Sequence, residues 1–378
     1  MSMAHGAIVV QKPIGKYAKH MRNLIPANIP EVYTLRPEIS NIADEKVIRD
    51  GVIAFRDFLY DFCDRLISDG NLYALPRKTI NPSNYPFLHY INHLLIDIGY
   101  HGNLATDGGS LLVTQIPSFT GSKNKTPVSK QAECLRFLTL CGFAFAGIDM
   151  DANAIVVSKE QPLAVSYPAN PVLAVGLKAL SVADMELRTE RRYSNDDNLL
   201  RCDYSLIKAD ETDTLDVLKN YLHPLSEKVR EFAVALHQRY TDMGIVSVVN
   251  KRDGLHIAYA NINNNSRVLT SRDVYDRRIW EFAVSIKHGY CLVVRAKKTD
   301  KDSDAIEKFP LYLKEKIKQG YGCDRKLRGE RCQGGCQGIR IPLDDSILDI
   351  SREIEAWLDS ETNPASVRRE CGATRGTQ

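Results

Sequence analysis

The chain has 378 residues, of which 44% are hydrophobic and 26% charged, and its formal net charge is only +3. Such a composition is typical of a globular protein of two or three domains, and the low charge excludes the strong basic field typical of many nucleic-acid-binding proteins. The longest apolar runs, such as GFAFAGI at 142–148, have the length of a strand, so no transmembrane helix and no membrane partner are expected.

Both ends of the chain are polar and aperiodic, which predicts a disordered segment at 1–30 and a disordered tail at 361–378. The first residues hold an apolar patch that is too short for the core of a signal peptide. We therefore expect a cytoplasmic protein. Its nine cysteines, an odd number, are then expected to be reduced thiols rather than a disulfide framework.

A helical region is predicted over residues 31–160. Its strongest helix pattern covers 43–70, where apolar residues recur at spacings of three and four. Asp44 is placed to cap the start of this helix and Gly70 to end it. The segment is therefore predicted to be one long amphipathic helix.

Two similar units follow that helix. Helices predicted over 85–100 and 129–143 are each followed by two short strands around a polar turn, and Gly99 and Gly142 occupy equivalent places. A helix on a β-hairpin, twice in tandem, is typical of winged-helix-like units. These helices carry few Lys and Arg residues, so a protein-packing scaffold is favoured over nucleic-acid binding, which stays an alternative.

Residues 161–220 are predicted to connect this region to a C-terminal domain. They hold a helix after the breaker cluster YPANP and a strand pattern, LLRCDYSLI, at 199–207. Two more helix patterns meet at Pro224. We place the start of the C-terminal domain near residue 220.

From residue 245 the hydrophobic period changes from 3.6 to 2, which predicts a mostly antiparallel sheet in an α+β domain at 221–360. One face of the predicted strands is apolar and is expected to be core. It holds Leu255, Ile257, Tyr259, Trp280, Phe282, Val284, Ile286, Leu292 and Val294.

The other face of the same strands is mixed in character. It holds His256, Glu281, Ser285, Lys287, Cys291, Val293, Arg295 and Lys297. One interpretation is a solvated sheet face; the other is a ligand site, because imidazole, carboxylate, thiol and guanidinium groups occur together. His256, Glu281 and Arg295 are the ligand-binding candidates on this face.

A Cys-rich loop, CDRKLRGERCQGGCQG at 323–338, is predicted between the last helix and the last strand. Cys323, Cys332 and Cys336 supply three of the four ligands of a tetrahedral zinc site, and the intervening glycines allow a close backbone approach. Cys291 or His288 would complete the site. A metal would stabilise a loop with too few apolar side chains to offset its ordering entropy.

Other interpretations of the loop stay open. Arg325 and Arg328 belong to a basic cluster that, with Gly-rich backbone, is typical of an anion-binding loop, and both are further ligand-binding candidates. The thiols could also serve redox or reactive-thiol chemistry, or be reduced cysteines with no special role. A three-cysteine set with an open fourth position would be a catalytic type of metal site.

Several runs resemble a family of uncharacterised conserved bacterial cytosolic proteins. They are RDFLYDFCDRL, LRCDY, IEKFPLYLKEKIKQGYGCDRK, CQGGCQGIRIPLDDSILDI and IEAWLD. The resemblance covers roughly residues 22–360 and is specific in the placement of Cys and Gly. It implies no known activity, catalytic residue or cofactor.

The sequence holds no G-x-S-x-G, P-loop, Rossmann or HExxH motif. We therefore expect a non-enzymatic binding or regulatory protein whose C-terminal domain carries a metal-stabilised Cys loop and whose partner is a small molecule or a protein. The alternatives are an enzyme that uses the Cys loop and the polar sheet face, and a nucleic-acid-binding protein that acts through the tandem units.

Overall fold

The structure is a computed structural model that describes part of the chain. It covers residues 14–69, 86–114, 128–151, 154–157, 162–190, 198–211, 213–251, 254–262, 271–295, 309–318 and 338–362. The fold class is α+β, as predicted. The chain divides into two compact units between Thr212 and Asp213. The boundary predicted near residue 220 is a few residues too late, because the helix Thr214–Tyr221 packs within the second unit.

The N-terminal unit combines helices with short strands. Its elements are α1 Ile14–Leu24, α2 Pro37–Ser40, α3 Glu45–Ser68, α4 Pro86–His101, β1 Asn103–Leu104, β2 Ser110–Val113, α5 Val128–Leu140, β3 Ala144–Ala146, β4 Ile148–Asp151, β5 Ala154–Val157, β6 Leu163–Ser166 and α6 Leu173–Glu190.

Helix α3 is the long amphipathic helix that the sequence predicts. The Asp44 side chain caps it by accepting a hydrogen bond from the Lys46 N–H at 2.9 Å. Gly51 of α3 lies against Gly176 of α6, where a Cβ on either residue would overlap the backbone of the other helix. The two glycines therefore allow the backbones of α3 and α6 to approach closely. The predicted stop, Gly70, lies outside the described residues.

The prediction of disorder over 1–30 is wrong from residue 14 onward. Helix α1 buries Ile14, Tyr17, Ala18, Met21 and Leu24, and it packs on α3. These residues follow the three-and-four spacing of an amphipathic helix. The stripe is easily missed because the helix is short and basic residues alternate with its apolar positions.

The two predicted winged-helix-like units are not confirmed. Strand β6 lies between β2 and β3 in one antiparallel sheet of order β1-β2-β6-β3, so strands from both units join a single sheet. Strands β4 and β5 form a separate hairpin. The first predicted turn is present, and the Asp107 carboxylate accepts a hydrogen bond from the Gly109 N–H at 2.9 Å.

The strand predicted at 199–207 is wrong. The segment forms two 3₁₀-helical turns, Leu199–Arg201 and Tyr204–Leu206, separated by Cys202 with φ of 48°. This left-handed conformation reverses the chain direction, which an extended strand does not do. Leu199, Leu200, Cys202 and Ile207 of this run are buried, whereas Tyr204–Leu206 are partly exposed.

The predicted connector at 161–220 is also largely part of the N-terminal unit. Strand β6 lies within its sheet, and α6 packs on both α3 and α4. Within this segment, only the breaker cluster YPANP has a composition typical of a linker.

The C-terminal unit is built around a five-stranded antiparallel sheet of order β11-β10-β9-β8-β7. Its elements are α7 Thr214–Tyr221, α8 Glu227–Asp242, β7 Val246–Asn250, β8 Leu255–Ala260, α9 Ser271–Asp276, β9 Trp280–Ser285, β10 Gly289–Val294, α10 Leu311–Lys318, β11 Ile339–Pro342, a 3₁₀-helix Asp345–Ile350 and α11 Ser351–Thr362. The tail predicted to be disordered from 361 is helical up to Thr362, and the rest of it lies outside the described residues.

The predicted core face of this sheet is buried except at Ile286, which is partly exposed. At its centre Trp280 stacks on Tyr259 with ring centroids 3.7 Å apart. Tyr240 of α8 contacts the same indole edge-on. These aromatic contacts make this face the main core of the unit.

The second face is not a simple solvated surface. Glu281, Ala283, Cys291 and Val293 are all buried on it, although the sequence predicts a mixed face. Tyr275 of α9 contacts His256, so α9 covers part of this face. No helix in the described part of the chain is long and apolar enough to cross a membrane.

Candidate functional site

A buried carboxylate lies at the centre of the second sheet face. Glu281 is the second residue of β9, and the strand alternation that turns Trp280 and Phe282 to the core turns Glu281 to the opposite side. Its neighbours across the sheet are Ala258 on β8 and Val293 on β10. The short and apolar neighbours leave the carboxylate in a poorly solvated position.

Three basic side chains surround this carboxylate. Arg295 Nη2 lies 2.6 Å from Glu281 Oε1, while Arg278 Nε and His256 Nδ1 lie 2.9 Å and 3.3 Å from Oε2. The side-chain exposures are 2% for Glu281, 10% for Arg295, 15% for Arg278 and 18% for His256. We call these four residues the Glu281 cluster.

Tyr275 of α9 forms one wall of the Glu281 cluster. The Arg278 guanidinium lies 3.7 Å from the centre of the Tyr275 ring, and the His256 ring meets the same ring edge-on. Stacking on an aromatic ring holds a guanidinium in a fixed plane. Tyr275 therefore holds the Arg278 guanidinium in position.

The charges of the cluster are strongly coupled. Burial by itself would raise the pKa of Glu281, but contact with His256 and the positive charges of Arg295 and Arg278 lower it to about 2. Burial also lowers the pKa of Arg295, and the neighbouring Glu281 opposes that effect. Glu281 is thus ionised at neutral pH and acts as a counter-charge rather than a proton donor.

Two nitrogen atoms of the Glu281 cluster have no well-directed hydrogen bond. His256 Nδ1 and Arg278 Nε are buried, and neither contact with Glu281 Oε2 has the direction of a good hydrogen bond. Within the described ranges no other acceptor completes these bonds. Buried donors of this kind usually have a hydrogen-bond partner.

On the described part of this face, basic side chains outnumber acidic ones. Among the strand residues described on it, Glu281 is the acidic one, while His256 and Arg340 also face this side and Arg295 follows β10 directly. Within the Glu281 cluster itself, two guanidinium groups and an imidazole face one carboxylate. The arrangement is suited to an anion.

The structure places the three ligand-binding candidates of the sheet face together, since His256 and Arg295 both contact Glu281. Arg278 and Tyr275 were missed by the sequence reasoning. Arg278 has the strand parity of the core face, but β9 begins only at Trp280, so Arg278 precedes the strand and turns toward Glu281. The spacing of an arginine three residues before the glutamate could have indicated the contact between Arg278 and Glu281.

The other candidates, Arg325 and Arg328, lie in the Cys-rich loop outside the described residues. The chain is described again at Gly338, whose φ of 77° favours glycine. A Cβ there would lie 2.7 Å from Val293 Cγ1 and 3.3 Å from Arg295 Cδ. The C-terminal end of the Cys-rich loop therefore joins the sheet beside the Glu281 cluster.

Of the predicted zinc ligands, Cys323, Cys332 and Cys336 also lie outside the described residues. Cys291 is buried on the second face with its thiol 3.4 Å from the His288 carbonyl oxygen, and His288 is exposed in the turn between β9 and β10. Burial lowers the pKa of His288, with Arg340 and Lys287 adding to the effect, which favours the neutral imidazole that binds metals. In the described part of the chain no three potential ligands converge.

The strand register bears on the choice between Cys291 and His288. Val294 pairs with Ile339 and Cys291 with Pro342, so Gly338 and the turn that holds His288 lie at opposite ends of β10. Cys291 is therefore nearer along β10 to Gly338, where the described chain resumes, than the turn that holds His288.

Two other features of the described residues differ from the Glu281 cluster. An apolar hollow beneath α7 is lined by Leu218, Leu255, Ile257 and Phe282 among others, and its lining holds no charged group. In the N-terminal unit, Asn198 donates a hydrogen bond to the buried carboxylate of Asp184 at 3.1 Å, which ties α6 to the 3₁₀ turns. Neither groups several basic side chains around one buried carboxylate, as the Glu281 cluster does.

Comparison with known proteins gives no further guide to function. No family model, no curated protein and no solved structure matches the chain. The resemblance to a bacterial family therefore stays a prediction.

Proposed function

We propose that the protein is a non-enzymatic binding protein whose C-terminal unit captures an anionic group at the Glu281 cluster. The observation that supports this most is a buried carboxylate surrounded by two guanidinium groups and an imidazole on a sheet face that is otherwise largely apolar. Arg278, Arg295 and His256 would contact the anion. Glu281 would hold the basic groups in position.

A purely stabilising role explains the cluster less well. Burying charged side chains costs desolvation energy, and apolar residues of similar volume are often as stable or more stable. On the opposite face of the same sheet, Trp280 stacks on Tyr259 and meets the Tyr240 ring edge-on. Buried positive charge is offset when an anion binds next to it.

The test is calorimetric titration of the purified chain with sulfate at low ionic strength. Arg278→Gln removes one charged donor while Arg295 still pairs with Glu281, so the protein should stay folded and bind sulfate about ten to a hundred times more weakly. Arg277→Gln is the matched control, because Arg277 is an exposed neighbour and its loss changes the net charge equally. Its affinity should stay within about twofold of wild type.

A second variant covers the case in which Arg278→Gln does not fold. Arg295→Lys keeps the positive charge but has no planar fork for two parallel hydrogen bonds, so sulfate affinity should fall while net charge does not change. If wild type, Arg278→Gln and Arg277→Gln bind sulfate equally weakly, the proposed function is wrong.

We further propose that the Cys-rich loop is stabilised by zinc at Cys323, Cys332 and Cys336, in a protein that acts in the cytoplasm. Cys291 is the preferred fourth ligand, since it lies closer along β10 to the returning chain than His288 does. Elemental analysis of protein purified without chelator should find about one zinc per chain. A content far below that value, under reducing conditions, would count against the metal.

A further inference from the structure

We infer that strand β7 pairs with β7 of a second copy of the chain, so that two five-stranded sheets join antiparallel across a two-fold axis. This interaction surface is the edge of the C-terminal sheet, and it does not depend on the Glu281 cluster. The inference therefore goes beyond the proposed function by naming a partner, which is the chain itself.

The outer edge of β7 offers backbone hydrogen-bonding groups to a further strand. β7 is the last strand of the sheet and pairs with β8 on one side. Alternate residues of an antiparallel strand direct their N–H and C=O groups away from that neighbour. Among the described residues, no backbone group outside β8 bonds to Val246, Ser247, Val248 or Val249. Such an edge is a template on which another chain can pair.

Helices of the C-terminal unit lie over the two faces of β7. On the core face α7 contacts the strand, and the Thr214 hydroxyl lies 2.7 Å from the Ser247 hydroxyl. On the second face α9 contacts β7 and β8, and its Tyr275 ring meets His256. A further strand would therefore add beside β7 rather than on top of it.

The two edges of this sheet differ in their protection against such pairing. β11 holds Arg340 and Pro342, and a charge and a missing N–H both oppose the addition of a strand. β7 has the sequence VSVVN, with no charge and no proline, and its register with β8 runs from Val246 to Asn250 without a bulge. Natural proteins usually protect their sheet edges, so an edge without these devices indicates a partner strand.

The sequence of β7 fits a second copy of itself. A two-fold axis at Val248 places that residue opposite its own counterpart, Ser247 opposite the partner's Val249, and Val246 opposite the partner's Asn250. No charged residue takes part, so the pairing brings no like charges together, and valine pairs across strands are favourable. The pairing would also cover Val246, which is 40% exposed.

The size of this surface predicts a weak dimer. One pair of short strands covers less than the about 1,200 Å² that a stable interface buries. We therefore expect a reversible equilibrium between monomer and dimer, with a dissociation constant of roughly 10–100 μM. Two-fold pairing of edges is closed, so no assembly larger than a dimer should form.

The test is sedimentation velocity of the full chain at concentrations from about 1 μM to about 300 μM, with a reductant present so that no disulfide joins the copies. Val246→Lys places a charge in the proposed interface and should weaken dimerisation at least about tenfold. Leu311→Lys is the matched control, because Leu311 is an exposed apolar residue of α10 and the change of charge is the same. Its dissociation constant should stay within about twofold of wild type.

The register is tested by adding a charge of opposite sign. In the double variant Val246→Lys/Asn250→Asp, each introduced ammonium would face an introduced carboxylate of the partner, so dimerisation should return to within about threefold of wild type. Within one chain these positions are about 13 Å apart along the strand, which is too far for the two charges to pair internally. Recovery would therefore report pairing between two copies.

Three results would overturn the inference. They are a monomer at every concentration up to about 300 μM, a dimer that Val246→Lys leaves unchanged, and a double variant that does not recover. Urea denaturation of Val246→Lys shows whether a lost dimer reflects a lost fold, and the exposure of Val246 predicts wild-type stability. Sulfate binding at the Glu281 cluster is measured separately, so either proposal can fail while the other stands.

Discussion

The two faces of the C-terminal sheet use the same strands for opposite purposes. On one face Trp280, Tyr259 and Phe282 are packed ring against ring, and burial of apolar surface stabilises the unit. On the other face Glu281 is equally buried, but its contacts are with charged groups. One residue of displacement along β9 therefore separates an aromatic core from an ionic cluster.

The difference shows that burial alone does not identify a core. Trp280 is buried because its exposure to water is unfavourable, and its neighbours gain from contact with it. Glu281 is buried although desolvation of its charge is unfavourable, so its partners must offset that cost. A region with desolvated charges is therefore a better candidate for ligand binding than a region that is stabilised by apolar packing.

The largest effect is expected on the aromatic face. Trp280→Ala removes a fully buried indole from contact with Tyr259 and Tyr240, and the free energy of unfolding should fall by about 3–5 kcal/mol. Urea denaturation measures the loss. Trp280→Phe should recover part of it, and a loss under about 1 kcal/mol for Trp280→Ala would contradict the assignment of this face as the main core.

A slightly smaller effect is expected from the ionic face. Glu281→Gln leaves Arg278 and Arg295 buried without their counter-charge, so the unfolding free energy should fall by about 3 kcal/mol. The control is Glu353→Gln, which removes a partly exposed carboxylate of α11. Equal stability of Glu281→Gln and wild type would mean that the cluster is not held by this charge.

The ionic face should also respond to pH. The pKa of Glu281 is lowered from its ordinary value of 4.5 to about 2 in the folded protein, so the ionised group stabilises the fold above about pH 4.5 and loses that effect as pH falls toward 2. At about 1.4 kcal/mol for each unit of difference in pKa, the loss is about 3 kcal/mol.

Urea denaturation at about pH 6 and about pH 2.5 tests this. Wild type should be more stable than Glu281→Gln at the higher pH, and the two should converge at the lower one. A difference that does not change with pH would contradict the lowered pKa of Glu281.

A moderate effect is expected where the chain joins the ionic face. Gly338→Ala places a Cβ against Val293 and Arg295 and forces alanine into a left-handed conformation, so stability should fall by about 1–2 kcal/mol. Thermal unfolding measures the change. Gly244→Ala is the control: its φ is also positive but no atom lies near its Cβ, so the difference between the variants reports the crowding beside the cluster.

The smallest change in stability is expected when the whole cluster is made apolar. Combining Glu281→Leu, Arg278→Met and Arg295→Met removes the buried charges together, so the unfolding free energy should change by less than about 1 kcal/mol or rise. Sulfate binding should be lost. A large loss of stability in this variant would make the ionic face a stabilising element and would weaken its assignment as a binding site.

Sequence periodicity was sufficient for the long elements. The three-and-four spacing that begins after Asp44 predicted α3, and the alternation after residue 245 predicted the core face of the sheet. These patterns are reliable because each repeats over several turns or strands. Short elements such as α1 and the turns around Cys202 offer too few repeats, and both were missed.

For the candidate site, alternation placed His256, Glu281 and Arg295 on one face but could not say how close they are. Their contact depends on strand register, which pairs Ala258 with Glu281 and Glu281 with Val293. Strand alternation could not identify Arg278, because this residue precedes β9 and does not follow the alternation of the strand. Register and strand ends are set by contacts between distant segments, so the sequence of one strand does not contain them.

The sequence by itself determined the α+β class, the long helices and the division of the C-terminal strands into an apolar and a mixed face, because these follow from local periodicity. Only the tertiary structure decided that strands β2, β6 and β3 share one sheet, and that Glu281 is buried among Arg278, Arg295 and His256. The physical reason is that a charged residue gives the same sequence pattern on a solvated face as in a buried cluster. The electrostatic difference arises only when other segments exclude water around it.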